Sequence, residues 1–352
     1  MCLFPKLVKN PKYKPNQKNG GNVPYMADSR IGYVPIGCGM CYECRRKKAN
    51  EWRVRLIEEV KTEQDYSFVT LTMSDESYAE LAELTKTSGY TKDNEIATIA
   101  VRRFLERWRK KHKKSIKHWL ITELGHKGTE NIHMHGIIKT RDLEEVKKIW
   151  KYGWIWKGKK RRGKIENYVT ERTVNYMIKY VMKVDKINKL YKPIILCSPG
   201  IGKKYQEKID YKKNKYKENG ETKETYTTRN GREIALPIYY RNKLYTEKER
   251  EKLWIEKLDK GIRYIGGEKV KADDDETISK LLRYHQNLNA EMGYGSPDNW
   301  KALEYELERR KLAQEKRIKN AEDRKVKKEI ERNKHKTIKV NKRRNYDDDI
   351  PF

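Results

Sequence analysis

Hydrophobic positions in the first two thirds of the chain recur with two periods, and the places where one gives way to the other predict the elements. From Arg45 to about Glu63, Ala49, Trp52, Leu56 and Val60 share one helical face, with Arg and Glu opposite. Tyr66–Met73 is β-branched and aromatic and reads as a strand. A second helix is expected over about 93–113, where Ile96, Ala100, Phe104 and Trp108 fall in line. Two strands follow, Ile116–Leu124 and Asn131–Lys139, joined as a hairpin through Gly125–Thr129. Asp142, with Glu145 three residues on, is placed to cap a short helix ending at Trp150. Gly153–Trp156 reads as a strand with a basic tip at Lys159–Arg162, Thr170–Lys183 as a helix, and Ile194–Cys197 as a further short strand.

The flanks lack such patterning. Residues 1–44 are rich in Pro, Gly, Asn and Lys and are expected to be loop-like. Beyond Pro199 hydrophobic density falls, and 203–235, mostly Lys, Tyr, Glu and Thr, is expected as an extended basic loop or hairpin. The charged run over about 298–335 reads as solvated helix or disorder, and Asp347–Asp349 as a flexible acidic tail. Four segments are therefore expected: a loop-rich stretch 1–44, a core 45–200, a basic extended region 201–250 and a charged extension 251–352.

Charge changes the picture most. Against 51 Asp and Glu stand 82 Lys and Arg, a net charge of +31 over 352 residues. Such an excess calls for a polyanionic partner. The aromatic residues are 24 Tyr and 8 Trp but only 4 Phe, rings with a polar handle suited to stacking on bases among cations. No apolar run reaches the length of a membrane span, and Met1–Lys6 lacks the apolar core of a secretory signal. Five cysteines, an odd number, argue against a disulfide scaffold and for a reducing compartment.

Candidate chemistry centres on two patterns. In the strand 131–139, His133 and His135 flank Met134, and side chains alternate across a strand, so both imidazoles face one way. With Glu123 from the preceding strand they can hold a divalent ion and leave positions open for phosphate oxygens, which suits Mg²⁺ or Mn²⁺. On the helix 170–183, Tyr176 and Tyr180 are i and i+4, with Lys179 and Lys183 each three residues after a tyrosine. Together they describe attack by a tyrosine hydroxyl on a metal-polarised DNA phosphate, leaving a 5′-phosphotyrosine and a free 3′-OH. Two tyrosines allow one to hold a DNA end while the other attacks.

At these residues the chain resembles a known family. His-Met-His at 133–135 followed by Tyr-x-x-Lys at 176–179 and 180–183 resembles the HUH endonucleases that initiate rolling-circle replication, and Phe68–Thr72 resembles their first motif. Histidines before tyrosines match replication initiators rather than conjugative relaxases, and the doubled tyrosine is similar to initiators of small isometric single-stranded DNA phages. Met1–Lys6, Gly37–Arg45 and Ser198–Lys203 resemble stretches of initiators from Microviridae of the gokushovirus and Bacteroidetes-phage type. The likeness covers roughly 1–250. It implies an α+β HUH endonuclease fold, a central antiparallel sheet of about five strands flanked by helices, with the histidines on a central strand and a charged helical C-terminal extension. It also implies single-stranded origin DNA as substrate, helicase and polymerase supplied by the host, and the cytoplasm of a bacterial host as location. The third metal ligand varies within the family, so His126 rivals Glu123. A two-tyrosine transposase and a non-enzymatic, zinc-containing nucleic-acid-binding protein are the competing readings.

Cys38, Cys41 and Cys44 form Cys-x-x-Cys-x-x-Cys, three thiolates of a tetrahedral Zn²⁺ site. Cys2, in the family-like N-terminal stretch, is expected as the fourth ligand, with Cys197 as the alternative; an iron–sulfur cluster is the other option. Gly200-Ile201-Gly202-Lys203 looks like a phosphate loop but fails Walker A, since Cys197 stands where its first Gly belongs and Lys204 where Ser or Thr belongs. No ATPase or helicase activity is expected.

Overall fold

A computed structural model of the chain describes residues 1–125, 130–162, 164–296 and 300–347. The N-terminal stretch is less irregular than its composition implies. Strands β1 (Lys6–Lys9) and β2 (Tyr33–Ile36) pair antiparallel, and three short 3₁₀ turns lie between or beside them. Helix α1 (Tyr42–Thr62) begins directly after Cys41.

The core is an antiparallel sheet in the order β6-β3-β5-β4-β9, made of β3 (Ser67–Leu71), β4 (His118–Leu124), β5 (Ile132–Ile138), β6 (Ile155–Trp156) and β9 (Ile195–Cys197). Strand β5, which carries the histidines, is central. Side-chain alternation divides the apolar residues into two cores. Val69, Leu71, Leu120, Leu124, Ile132 and Met134 face α2 (Asp75–Ala82), α3 (Gly89–His112) and α4 (Leu143–Trp150). Phe68, Trp119, Ile121 and Ile137 face α1 and α5 (Glu171–Met182). Helix α4 starts where expected, the Asp142 carboxylate accepting from the Glu145 N–H at 2.8 Å. Helix α2 has no counterpart among the expected elements; Ser74 caps it, its Oγ accepting from the Ser77 N–H at 3.1 Å. The basic tip after β6 forms a small hairpin, β7 (Lys159–Arg161) with β8 (Lys164–Glu166).

Residues 203–235 are more structured than an extended loop. They hold a 3₁₀ turn (Lys203–Glu207), helix α6 (Ile209–Lys213) and the hairpin β10 (Thr225–Thr227)–β11 (Glu233–Ala235), followed by α7 (Ile238–Leu244). Tyr205, Tyr226, Leu236 and Tyr240 gather over Val54 of α1, opposite its sheet-facing side. The acidic residues on that side of α1 are therefore buried but satisfied. Glu58 accepts from Tyr226 at 2.7 Å, and Glu59 accepts from Tyr66 at 2.7 Å and Lys117 at 2.5 Å. Glu59 also accepts the Gly202 N–H at 2.7 Å, while the Tyr240 hydroxyl donates to the Gly202 carbonyl at 2.8 Å. Gly202 has φ +77°, and a Cβ there would lie 2.6 Å from the Arg55 carbonyl oxygen. The glycine-rich turn thus serves as a close packing contact on α1.

The chain continues through α8 (Glu247–Asp259), the hairpin β12 (Ile262–Ile265)–β13 (Glu268–Lys271) and α9 (Asp275–Glu291) to the long helix α10 (Trp300–Asp347). Of the acidic tail, Asp347 closes α10, and Asp348 and Asp349 lie outside the described residues. That last helix is docked rather than merely solvated along its first half. Arg310 reaches Asp93 of α3 through Nε and a terminal nitrogen, both at 2.8 Å, and Gln314 donates to the Gly89 carbonyl at 2.8 Å. Arg317 lies over the Tyr78 ring at 4.0 Å. Among the described residues no helix is long and apolar enough to cross a membrane.

Candidate active site

The register of the sheet assembles the first cluster. Glu123 is paired opposite His133 across β4–β5, and His135 opposite Thr70 across β3–β5, so all four lie on the face covered by α1 and α5. Ligand atoms of Glu123, His133 and His135 lie within 4.8 Å of one another. The Glu123 Oε2 is 3.1 Å from His133 Nε2 and 2.8 Å from His135 Nε2.

The far nitrogens of both rings are engaged. His133 Nδ1 is 3.1 Å from the Asn131 carbonyl oxygen, which can only accept, so Nδ1 carries the proton and a neutral ring keeps its Nε2 lone pair. His135 Nδ1 is 2.9 Å from the Thr70 hydroxyl, a contact that allows the same tautomer. Outer partners of this kind orient metal-ligating histidines. Burial disfavours the charged form of His135 and lowers its pKa, hydrogen bonding to Glu123 opposing this less strongly. Burial raises the Glu123 pKa, but His133, His135 and Lys183 together outweigh it and hold the carboxyl well below the ordinary range. Two neutral imidazoles and a carboxylate, converging and oriented from behind, fit a divalent ion. His126, the rival ligand, lies outside the described residues.

The tyrosines stand over this cluster. Val174, Met177, Ile178 and Val181 bury one side of α5, turning Tyr176 and Tyr180 toward the histidines. Tyr180 stacks on His135 with centroids 4.2 Å apart and planes 15° apart, and its hydroxyl is 2.6 Å from that of Tyr176. Tyr176 is 47% exposed and meets the edge of Phe68, whose ring lies nearly parallel to His135. Burial, then the bond to Tyr176, raises the pKa of Tyr180, so its phenol needs a neighbouring cation to ionise.

The two lysines part company. Lys183, at the end of α5, pairs with Glu123 and lies 5.8 Å from the Tyr180 ring centroid. Lys179 is exposed and lines a cavity with Tyr176 and Tyr180. Two positioning groups were not singled out by sequence reasoning. Thr70 sits in a stretch read as a motif, yet only the β3–β5 register reveals its link to His135. Asn167 holds Phe68 by bonding its N–H at 2.8 Å and its carbonyl at 2.7 Å, and no pattern marked it.

A second cluster joins Cys2, Cys38, Cys41 and Cys44, whose sulfurs lie within 4.8 Å of one another. Cys197 is elsewhere, in β9 against the α1–α5 core. Backbone N–H groups point at the sulfurs: those of Phe4 and Cys38 at Cys2 (3.3 and 3.2 Å), those of Met40 and Cys41 at Cys38 (3.4 and 3.3 Å). Hydrogen bonds from the other two thiols hold Cys38 well below the ordinary thiol range, while bonding to Cys38 pushes Cys41 up to about 11. The donor set fits a tetrahedral metal ion, whose charge would let all four sulfurs ionise.

Residues 66–185 match a family model of replication-associated proteins, the ORF2 type. The match runs from β3 through the end of α5 and takes in Glu123, both histidines, both tyrosines and both lysines, a likeness consistent with a rolling-circle replication initiator. The cysteine cluster and everything after Asp185 lie outside it. No curated protein and no solved structure matches the chain.

Proposed function

We propose that the chain is a two-tyrosine HUH endonuclease and strand transferase that initiates rolling-circle replication of a Microviridae-type phage in the cytoplasm of its bacterial host. The observation that carries this reading is the joint placement of a metal-competent Glu123–His133–His135 face and two hydroxyls in contact on the helix above it. Mg²⁺ or Mn²⁺ held by those three residues supplies Lewis-acid polarisation of the scissile phosphate. Tyr176 or Tyr180 attacks phosphorus; the new O–P bond forms as the P–O3′ bond breaks, and the departing oxygen takes up a proton to become the 3′-OH. The bond energy is retained in the phosphotyrosine, so the second tyrosine can attack the next junction and the first product be rejoined without ATP. Lys183, already on Glu123 beside the Tyr180 ring, steadies the tyrosinate, and Lys179 meets the incoming phosphate. Host helicase and polymerase extend the free 3′-OH. Zinc on Cys2, Cys38, Cys41 and Cys44 supplies a cross-link for the N-terminal segment.

The test is covalent capture. Labelled single-stranded fragments tiling the origin are incubated with Mn²⁺ and the chain, then with Tyr176→Phe, Tyr180→Phe and the double variant, and resolved on a denaturing gel. An adduct that needs metal, survives denaturation and disappears in the double variant is the expected result. Tight, salt-sensitive binding without any adduct would instead favour a non-enzymatic zinc-containing nucleic-acid-binding protein.

A further inference from the structure

Two cavities meet at Arg53. The smaller, about 410 Å³, opens beside Tyr176, Lys179 and Tyr180. The larger, about 1430 Å³, runs between α1, the β10–β11 hairpin and α8. Arg53 and Met182 line both, so the space beside the tyrosines continues into the groove. Pockets for small ligands occupy roughly 300–1,000 Å³, and a groove beyond that range that starts at the candidate nucleophiles suits a polymer.

The charges along it are unevenly used. Glu224 is paired with Arg241 and Lys257, Glu233 with Lys223, Glu221 with Lys260 and Asp259 with Arg30. Glu256, the other lining carboxylate, lies in the field of Lys260. Arg53 and Arg232 have no ion-pair partner among the described residues. One terminal nitrogen of Arg53 donates to Asn50 at 2.9 Å, while its Nε is buried without a hydrogen-bond partner. Burial first, and then the nearby Arg232 charge, disfavours the charged form of Arg53. Two guanidiniums that oppose each other, one holding an unused buried donor, are relieved by an anion between them. A phosphodiester is the anion that a groove leading from a DNA-cleaving site would receive, and arginine is suited to it.

We propose that the groove lined by Arg53 and Arg232 holds phosphates of the single-stranded DNA flanking the scissile phosphate. Its far wall comes from residues 220–267, outside the stretch that matches the replication-associated family. The proposal rests on the nuclease reading for what enters at the tyrosines, but its test can fail separately.

Fluorescence anisotropy is measured on oligonucleotides of about 6 and about 20 nucleotides, bracketing the roughly 4–16 that a single-strand-binding module covers. The variants are Arg53→Gln/Arg232→Gln, Arg232→Glu, and Arg229→Gln as an exposed hairpin-tip control outside the groove. The double variant is expected to bind the long strand about tenfold more weakly and to flatten its log–log salt slope by about 1.4, since each single-strand phosphate contact contributes roughly 0.7. Arg232→Glu, a surface change that leaves α1 intact, should weaken the long strand more than the short one. Unchanged long-strand binding, or an equal loss in Arg229→Gln, overturns the groove. Adduct formation by the unaltered chain is scored on the same strands. Adduct without groove dependence removes this proposal alone, and groove dependence without adduct removes the nuclease reading alone.

Discussion

At the scale of single residues, the candidate metal face depends on atoms that touch no ion. Thr70→Val keeps the shape of the side chain and removes the hydroxyl that faces His135 Nδ1 and fixes its ring. Loss of such an outer partner typically costs about 10–100-fold in metal affinity. Titration calorimetry with Mn²⁺ should find a drop in that range with the fold unchanged, and unaltered affinity would mean Thr70 does not position His135. A different histidine sets a pH limit. His118 is buried at the start of β4, its Nδ1 3.0 Å from the Ser198 hydroxyl and 3.2 Å from the Ile116 carbonyl oxygen. Burial lowers its pKa below the ordinary 6.5, the Ile116 bond opposing only in part. The unfolded chain therefore takes up this proton first. The contribution of neutral His118 to stability is complete above about pH 6.5 and is lost as the pH falls through the folded-state value. His118→Asn retains a donor and does not titrate, so its urea midpoint should fall less than that of the unaltered chain between pH 7.5 and 5.5; parallel losses would count against the assignment.

At the scale of elements, α10 is held to the core by polar rather than apolar contacts. Arg310 and Asp93 are both almost fully buried, and Arg310 also reaches the Glu130 carboxylate and carbonyl, each at 3.0 Å, in the segment leading into β5. Removing one member of a buried pair leaves an uncompensated charge and costs about 3–5 kcal/mol. Arg310→Met should lower the urea midpoint accordingly, whereas loss of the exposed Arg324–Asp75 pair should leave it close to that of the unaltered chain. Equal effects would mean α10 contributes no packing. The same contact explains what was legible in the sequence. Helices α1, α3 and α5 and strands β3, β4 and β5 each bury an apolar face of their own, so their periodicity is local. The sequence 300–335 has few apolar repeats because its docking surface is Arg310, Gln314 and Arg317, whose partners are more than two hundred residues away. For the same reason the tyrosine-rich 203–240 stretch resembled a loop: its structure forms only against α1. In the candidate site, alternation placed both histidines and helical spacing both tyrosines. Thr70 and Arg53 depend on strand register and on a distant hairpin, which spacing along the chain does not encode.

At the scale of the whole molecule, the cysteine cluster lies where the N-terminal segment is tied to distant elements. The Met1 amino group donates to the Tyr264 carbonyl at 3.0 Å, Gln286 to that of Leu3 at 2.7 Å, and the Tyr42 N–H to Asn289 at 2.8 Å. Arg30 pairs with Asp259, and Tyr13 donates to Glu251 at 3.0 Å. From the same junction Arg45 donates to the Lys183 carbonyl at 2.6 Å, three residues beyond Tyr180. An ion on Cys2, Cys38, Cys41 and Cys44 would therefore hold together the α8–α9 region and the end of the tyrosine helix, not merely close a loop. Structural zinc sites contribute about 10–16 kcal/mol of binding free energy that is also folding free energy. The central sheet, with two apolar cores of its own, does not depend on that junction. Chelation, or Cys2→Ser, should thus raise hydrogen exchange across residues 1–44 and 262–291 while the amides of β3, β4 and β5 stay protected. Cys197→Ser, away from the cluster, should leave the metal content and this pattern intact. Uniform loss of protection would make the chain one cooperative unit nucleated by the ion. No change at all, with metal analysis finding none bound, would reduce the four cysteines to packed thiols.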